Sequence, residues 1–335
     1  MRRPAVTGAL IVAATAAAAL SATPAFAGDN DLVLTRLGKI SNDLNGDPVA
    51  VAGQNLEFRS LVSELGVVLA PRLLTPSDTL GFGGFQFSAD VGYTSISSDA
   101  SWWRALASSP DPTAMGGVEH GSNTMPTLGL FVRKGMWFPI PSVEVGAGFV
   151  HLMDSTMWAA QTYAKVGIHE GYHDLPVPSV SVRGGASRLM GSNQLDLTVA
   201  SLDVEISKQL GIAGTWALTP YGGWNVLFIV PRSEVLDATP GVDSLVAGNE
   251  QDSQLNFVFK DQDNIIRNRF FFGAKMQYYV FELTLEAAFA LKGSSVDDRG
   301  GTDVACMLDS TTTSCDSTDQ AGAQSTLTAS LGLDF

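Results

Sequence analysis

Ten charged residues are the first candidates for chemistry in this sequence, because each lies within a segment that alternates in polarity with a period of two. In every such segment the apolar residues take the opposite parity. Charges of both signs on adjacent strands can pair across a sheet, or they can select the ions that pass a pore. Both interpretations stay open from the sequence. The ten residues are Arg133, Glu144, Lys165, Arg183, Asp203, Glu205, Arg269, Lys275, Glu282 and Glu286.

Alternating segments predict the strands that would position these charges. They recur from Leu80 to the end of the chain, and the clearest internal one runs from Phe85 to Tyr93. We count about ten strands; twelve are possible if residues 255–278 form a hairpin and the segment around residues 58–69 is a strand. The apolar parity changes after Val199, which predicts a β-bulge near Ala200.

The last strand carries a resemblance. Leu327, Ala329, Leu331, Leu333 and Phe335 share one parity, and the chain ends on the bare aromatic residue. This ending resembles the C-terminal strand of bacterial outer-membrane β-barrels. The resemblance implies an all-β fold, an antiparallel transmembrane barrel over residues 80–335, with an apolar side in lipid and the ten charges lining a lumen. It also implies outer-membrane lipid, lipopolysaccharide and the barrel-assembly machinery as partners, the last through this strand.

Two further features accompany the barrel prediction. An even strand count puts the long loops at residues 98–123, 231–253 and 293–320 together on the outer side. Aromatic residues also cluster near predicted strand ends, as in the interfacial girdles of membrane barrels. They are Trp102, Trp103, Trp137, Phe138, Trp158, Trp224, Tyr278, Tyr279 and Phe281.

The N-terminal region predicts export. Arg2 and Arg3 precede an apolar run that closes on Ala25-Phe26-Ala27, so residues 1–27 are interpreted as a cleaved signal peptide. A membrane anchor is the competing interpretation. No later segment is long and apolar enough for a spanning helix. We therefore expect the protein in the outer membrane.

Residues 28–79 are predicted to be a periplasmic lead-in with an amphipathic helix at about 56–70. Apolar residues follow helical spacing until Pro71 ends it, although Gly66 weakens the pattern and a strand is the alternative. We expect this helix to cap or plug the lumen. Its apolar residues are Phe58, Leu61, Val62, Leu65, Val68 and Leu69.

Composition excludes one class of partner and predicts one cross-link. The formal net charge is −14 and becomes more negative when Arg2 and Arg3 are removed, which argues against nucleic-acid binding. Cys306 and Cys315 share a polar segment, and an exported protein meets an oxidising compartment, so we expect a disulfide between them. No cofactor or metal is predicted, except that acidic outer loops such as residues 297–303 could hold Ca²⁺.

One short motif suggests an enzyme. His120-Gly121-Ser122-Asn123 is similar to the His-x-Ser-Asn element of outer-membrane phospholipase A and of lipid A deacylases. The resemblance implies His120 as the base and Ser122 as the nucleophile. The sequence departs from those families at Pro126, which interrupts the strand, and at Lys134, where they place the residue that orients the histidine.

Three functional hypotheses follow from the sequence. The principal one is a narrow channel or transporter for a small or amphipathic solute, with the N-terminal helix in the lumen. The alternatives are a lipid hydrolase that uses His120 and Ser122, and a structural or surface-interaction barrel.

Overall fold

The computed structural model describes residues 28–42, 44, 48–109, 122–136, 142–171, 177–212, 215–239, 255–263, 265–296 and 318–335. Within these residues ten strands form one closed antiparallel barrel, because each pairs with the next and the last pairs with the first. The barrel strands are β3 (Phe85–Ser95), β4 (Thr124–Met136), β5 (Val143–Leu152), β6 (Trp158–His169), β7 (Ser179–Met190), β8 (Leu195–Ser207), β10 (Trp216–Ser233), β13 (Ile265–Tyr278), β14 (Phe281–Ala290) and β15 (Gln324–Asp334).

Short elements accompany the barrel. They are the hairpin of β1 (Gly38–Asn42) and β2 (Pro48–Gly53), the pair of β11 (Leu236–Asp237) and β12 (Asn256–Phe257), β9 (Leu210–Ile212) beside β10, the helix α1 (Asn55–Val68), and two 3-10 helices at Leu34–Leu37 and Ser101–Ala105. The predicted antiparallel barrel with one short helix is confirmed, and the twelve-strand alternative is wrong.

The two ends of the barrel differ. At the end that we call the turn end, β13 and β14 are joined by residues 279–280, and the backbones of Phe85 and Phe335 exchange two hydrogen bonds of 2.9 and 2.8 Å. At the opposite end, called the loop end, lie the three longest connections, residues 96–123, 234–264 and 291–323. The long loops therefore share one side of the barrel.

The exterior is apolar. Outward positions carry large hydrophobic side chains, and the exposed fraction reaches 62% for Leu327 and 67% for Leu331. A continuous band of this kind would not be stable in water, whereas lipid solvates it. Trp216 and Tyr278 stack at the turn end with ring centroids 4.4 Å apart, as expected for an interfacial girdle. The predicted outer-membrane barrel is thus supported by its own surface.

Two predicted girdle residues lie elsewhere. Trp102 and Trp103 are buried, with exposed fractions of 8% and 1%, in the 3-10 helix that packs over the loop end. They belong to the apolar cluster inside the barrel mouth rather than to its lipid face. Trp137 and Phe138 lie outside the described residues. Among the described residues, no helix is long and apolar enough to span a bilayer.

The predicted β-bulge near Ala200 is wrong, because strand β8 is regular at this position. Its pairing with β7 and with β10 continues through this position without a shift of register. Leu195, Leu197 and Val199 all point inward and are buried. The apolar parity changes because the lumen changes from apolar to polar along the strand, and no residue is inserted.

The N-terminal region contacts the loop end and continues into the lumen. Residues 28–42 and 48–54 lie at the loop end, where Asn30 N donates to Asp154 O over 2.9 Å and Val33 N donates to Ala105 O over 2.7 Å. The chain then runs through the lumen and reaches the turn end at Gly84, whose carbonyl accepts Gly135 N. Leu34 and Leu37 are fully buried at the loop end. Residues 1–27 lie outside the described residues.

Candidate functional site in the barrel lumen

The lumen is occupied by residues 55–80, which we call the lumenal segment. Helix α1 forms its first half, and every residue from Phe58 to Val68 is buried. The helix contacts β8, β10, β13 and β15, which lie along one arc of the closed barrel wall. The six predicted helix residues, Phe58, Leu61, Val62, Leu65, Val68 and Leu69, are each exposed by 1% or less.

Close packing fixes the helix in place. A Cβ on Gly66 would lie 2.6 Å from Cδ1 of Ile229 on β10, so only glycine allows this approach. The Phe58 ring stacks on Phe259, with centroids 4.2 Å apart and an interplanar angle of 3°. The apolar inward residues of the loop-end half, such as Leu197 and Leu227, complete the cluster. This half of the lumen is therefore an apolar core.

Polar residues of α1 bind the long loops. Glu64 is fully buried and accepts hydrogen bonds from Ser97 N, Trp103 Nε1 and Gly322 N over 2.9, 2.8 and 2.9 Å. Ser63 Oγ donates to Asp319 Oδ2 over 2.5 Å, and burial raises the pKa of this aspartate above its ordinary value. The helix thus ties together loops that leave from β3 and β14.

The second half of the lumenal segment is extended, and side chains of the barrel satisfy its backbone. A buried backbone group needs a partner, and this stretch has neither a helix nor a ladder to provide one. The partners come from strands around the barrel: Gln161 Oε1 accepts Arg72 N at 3.0 Å, Arg183 donates to Leu73 O at 2.6 Å, Glu286 accepts Leu74 N at 2.8 Å, Lys165 donates to Pro76 O at 2.9 Å, Ser207 accepts Ser77 N at 3.1 Å and Glu144 accepts Leu80 N at 3.1 Å.

The ten charges predicted from the sequence all lie on the inward side of the barrel. Nine are buried and Lys275 is partly buried. Three direct ion pairs join them, at 2.7 Å between Arg183 Nε and Asp203 Oδ2, 3.3 Å between Lys165 Nζ and Glu144 Oε1, and 2.8 Å between Lys275 Nζ and Glu282 Oε2. Three of the remaining four bind neutral groups: Arg133 donates to Gln86, Arg269 donates to Asn225, and Glu286 accepts the Tyr221 hydroxyl.

One buried pair was missed in the sequence. Arg72 Nε lies 3.2 Å from Asp90 Oδ1, and both side chains are buried. Asp90 has the inward parity of β3, so its alternation with Ala89 and Val91 in the sequence could have identified it as a residue that faces the lumen. Arg72 follows Pro71 in a stretch without periodicity, and nothing in the sequence indicates that it lies inside the barrel.

Several polar atoms at the turn-end half have no hydrogen-bond partner in the described part of the chain. They include both carboxylate oxygens of Glu205 and the hydroxyls of Ser181 and Ser201. Glu205 pairs in register with Ser181, and Ser201 lies on the same strand four residues before Glu205. Buried polar atoms of this kind are commonly satisfied by water. This half of the lumen is thus polar, in contrast to the apolar half around α1.

Other predicted sites lie apart from the lumen or outside the described residues. Ser122 is exposed at the loop end, where its Oγ donates to Thr124 O over 3.0 Å. His120, Cys306, Cys315 and residues 297–303 are outside the described residues, so the catalytic pair, the disulfide and the Ca²⁺ site remain predictions. Where residues are described, no group of three or more His, Cys, Asp or Glu side chains is placed to hold a metal ion.

Comparison with known proteins finds no sequence relative and structural matches with low scores. No family model and no curated protein matches the chain. Ail, the attachment invasion locus protein of Yersinia pestis, solved with the heparin analogue sucrose octasulfate, is 10% identical with a TM-score of 0.26 over 76% of this chain and 99% of its own. The outer membrane protease OmpT of Escherichia coli is 9% identical with a TM-score of 0.29 over 80% and 99%. Scores this low carry no argument, and the barrel assignment rests on the strand pairing and the apolar exterior described above.

Proposed function

We propose that the protein is a sealed outer-membrane barrel that acts through the surface of its loop end, as a structural or surface-interaction protein. The observation that supports this most directly is the lumenal segment, whose helix fills one half of the lumen and whose extended backbone is bound by side chains in the other half. A solute would have to displace this segment before it could pass.

The energy of that displacement argues for a closed ground state. Six apolar side chains of the lumenal segment, from Phe58 to Leu69, are buried almost completely. Full burial of one such side chain is worth about 1.5–3 kcal/mol, so their removal from the lumen costs on the order of 10 kcal/mol. At about 1.4 kcal/mol for each factor of ten, the open state would hold roughly one molecule in 10⁷. Thermal opening alone would therefore give no measurable conductance.

A gated channel is the second candidate, favoured by the polar half of the lumen. Glu205, Ser181 and Ser201 leave unpartnered polar atoms within the described residues, which is typical of a hydrated space. In this case the binding free energy of a solute would have to stabilise the displaced lumenal segment by as much as removal of the segment from the lumen costs.

Single-channel conductance of the refolded protein in a planar bilayer tests the proposal. We expect a silent wild type, and discrete openings in a variant that lacks residues 28–74. Because the deletion can impair folding, Gly66→Leu provides a second variant, since its side chain would collide with Ile229 and displace α1. Gly184→Leu is the matched control, because Gly184 points outward and a Cβ there meets nothing within 4 Å.

Either outcome is informative. Openings from Gly66→Leu with silence from Gly184→Leu would support a lumen sealed by the segment. Regular openings of the wild-type protein would overturn the proposal and favour the gated channel.

A further inference from the structure

The N-terminal region does more than fill the lumen, because it passes from one end of the barrel to the other. Residues 28–42 and 48–54 lie at the loop end, residues 55–80 lie inside, and the Gly84 carbonyl accepts a hydrogen bond from Gly135 N at the turn end just before β3 begins. The chain therefore crosses the full length of the barrel before the first barrel strand crosses it again in the opposite direction. The barrel surrounds a part of its own polypeptide.

The first described residues are built into the loop end. Asp31 accepts hydrogen bonds from Gly28 N over 2.7 Å and from Thr156 N over 2.7 Å. Asn30 Nδ2 donates to Met153 O over 2.8 Å, in the connection between β5 and β6. These contacts hold Gly28 at the rim of the barrel, so the start of the N-terminal region has a defined position there.

Interlocking contacts join the following residues to the β3–β4 loop. Leu32 forms an isolated bridge with Leu106, and Arg36 donates to the carbonyl oxygens of Arg104, Leu106 and Ser109 over 3.2, 2.6 and 2.8 Å. Arg104 in turn donates to Arg36 O over 2.9 Å. The cap over the barrel mouth is thus formed jointly by the N-terminal region and the loop.

The β1–β2 hairpin is the outermost described part of this cap. A Cβ on Gly38 would lie 2.9 Å from the Phe257 ring and one on Gly53 would lie 2.8 Å from the Phe259 ring, so the two glycines let the hairpin ends pack on these rings. Away from them the hairpin is open to solvent, and Leu44 in its turn is fully exposed. Leu44 is therefore accessible from the loop end.

The orientation of outer-membrane barrels then assigns a side to each end. These barrels place their short turns in the periplasm and their long loops outside. A chain that is exported to the periplasm must reach the loop end through the lumen, because the segment lies inside the closed barrel. From this geometry we propose that the barrel carries residues 28–54 to the cell surface, and that it displays there any polypeptide attached ahead of Gly28.

Surface labelling of intact cells that produce the full chain tests the inference. Leu44→Cys and Tyr279→Cys are each made in a Cys306→Ser/Cys315→Ser background and treated with a membrane-impermeant maleimide. Both positions are exposed, but Tyr279 lies in the β13–β14 turn at the turn end. We expect the ratio of labelling in intact to permeabilised cells to be near one for Leu44→Cys and near zero for Tyr279→Cys. Heat-dependent migration on SDS gels confirms that each barrel is folded.

Insertion of an epitope tests display directly. An epitope placed between Ala27 and Gly28 should bind antibody on intact cells, whereas the same epitope inserted at Tyr279 should bind only after permeabilisation. A folded barrel in which Leu44→Cys is labelled only after permeabilisation would overturn the inference. Surface labelling of Leu44→Cys together with an epitope that stays inside or blocks folding would refute the display of attached polypeptide. Neither maleimide labelling nor antibody binding depends on conductance, so both tests would give the same result if the protein were a channel.

Discussion

Arg183 and Arg188 lie five residues apart on β7 and pair with aspartates on β8, but on opposite faces of the sheet. Arg183 Nε is 2.7 Å from Asp203 Oδ2 inside the barrel, where both side chains are exposed by only 1%. Arg188 Nη2 is 2.6 Å from Asp196 Oδ2 on the outer face, with side-chain exposures of 59% and 32%. The two pairs have nearly the same length and differ mainly in burial, so they form a matched comparison.

We expect Arg183→Met to be far more damaging than Arg188→Met. Removal of one partner from a buried ion pair costs about 3–5 kcal/mol, because the other charge stays buried without compensation. The Leu73 carbonyl also loses its donor at 2.6 Å, an additional penalty of about 1–3 kcal/mol for a buried acceptor. The two costs sum to about 4–8 kcal/mol, and we expect a loss at the lower end of this range because Asp203 keeps the amide of Asn225. For the exposed pair the expected loss is about 0–1 kcal/mol.

Urea unfolding in phospholipid vesicles, followed by tryptophan fluorescence, measures both variants. The double variant Arg183→Met/Asp203→Leu provides a further check, because an apolar replacement of both partners should recover much of the lost free energy. Equal losses of unfolding free energy for Arg183→Met and Arg188→Met would refute the assignment of Arg183 to the contacts that hold the lumenal segment. A double variant less stable than Arg183→Met would contradict the argument from desolvation.

Three other predictions concern the apolar half of the lumen. Phe58→Ala removes the stack on Phe259 and should lower the free energy of unfolding by about 3–5 kcal/mol, while the lipid-facing Phe289→Ala should cost less in the same urea titration. Glu64→Gln keeps the size of the side chain but weakens its three accepted hydrogen bonds, so amide hydrogen exchange should become faster in the loop-end connections and remain unchanged at the turn end. Burial raises the pKa of Asp319 above its ordinary value of 3.8, so the folded protein holds this proton more tightly than the unfolded chain. This contribution to stability is complete below pH 3.8 and is lost as pH rises through the folded pKa; Asp319→Asn should remove this part of the slope above pH 3.8, and an unchanged slope would contradict it.

Much of the barrel could be predicted because strand pairing leaves a period of two in the sequence. The alternation around Phe85 and the terminal strand predicted both the strands and the inward side of the ten charges. The apolar spacing from Phe58 to Leu69 likewise predicted the helix. These signals are local, since each depends only on which face of one element is apolar.

The contents of the lumen could not be predicted in the same way. Residues 69–84 have no periodicity, because their backbone is bound by side chains from distant strands. The rule that inward residues are polar also fails at Leu195, Leu197 and Val199, where the inward face meets a helix of the same chain instead of water. Trp102 and Trp103 were assigned to lipid for the same reason, since sequence alone does not distinguish an apolar lumen from an apolar exterior.

The passage of the chain through its own barrel has a mechanical consequence. A force that pulls Gly28 away from the loop end would act along the lumenal segment, roughly parallel to the barrel axis. The hydrogen bonds to Leu73, Leu74, Pro76 and Leu80 would share this load, because they attach one continuous backbone to different strands. The far end of the segment is continuous with β3, which is paired on both sides within the barrel wall. The barrel can therefore act as an anchor, since these hydrogen bonds resist extraction of the N-terminal region from the lumen without any covalent cross-link.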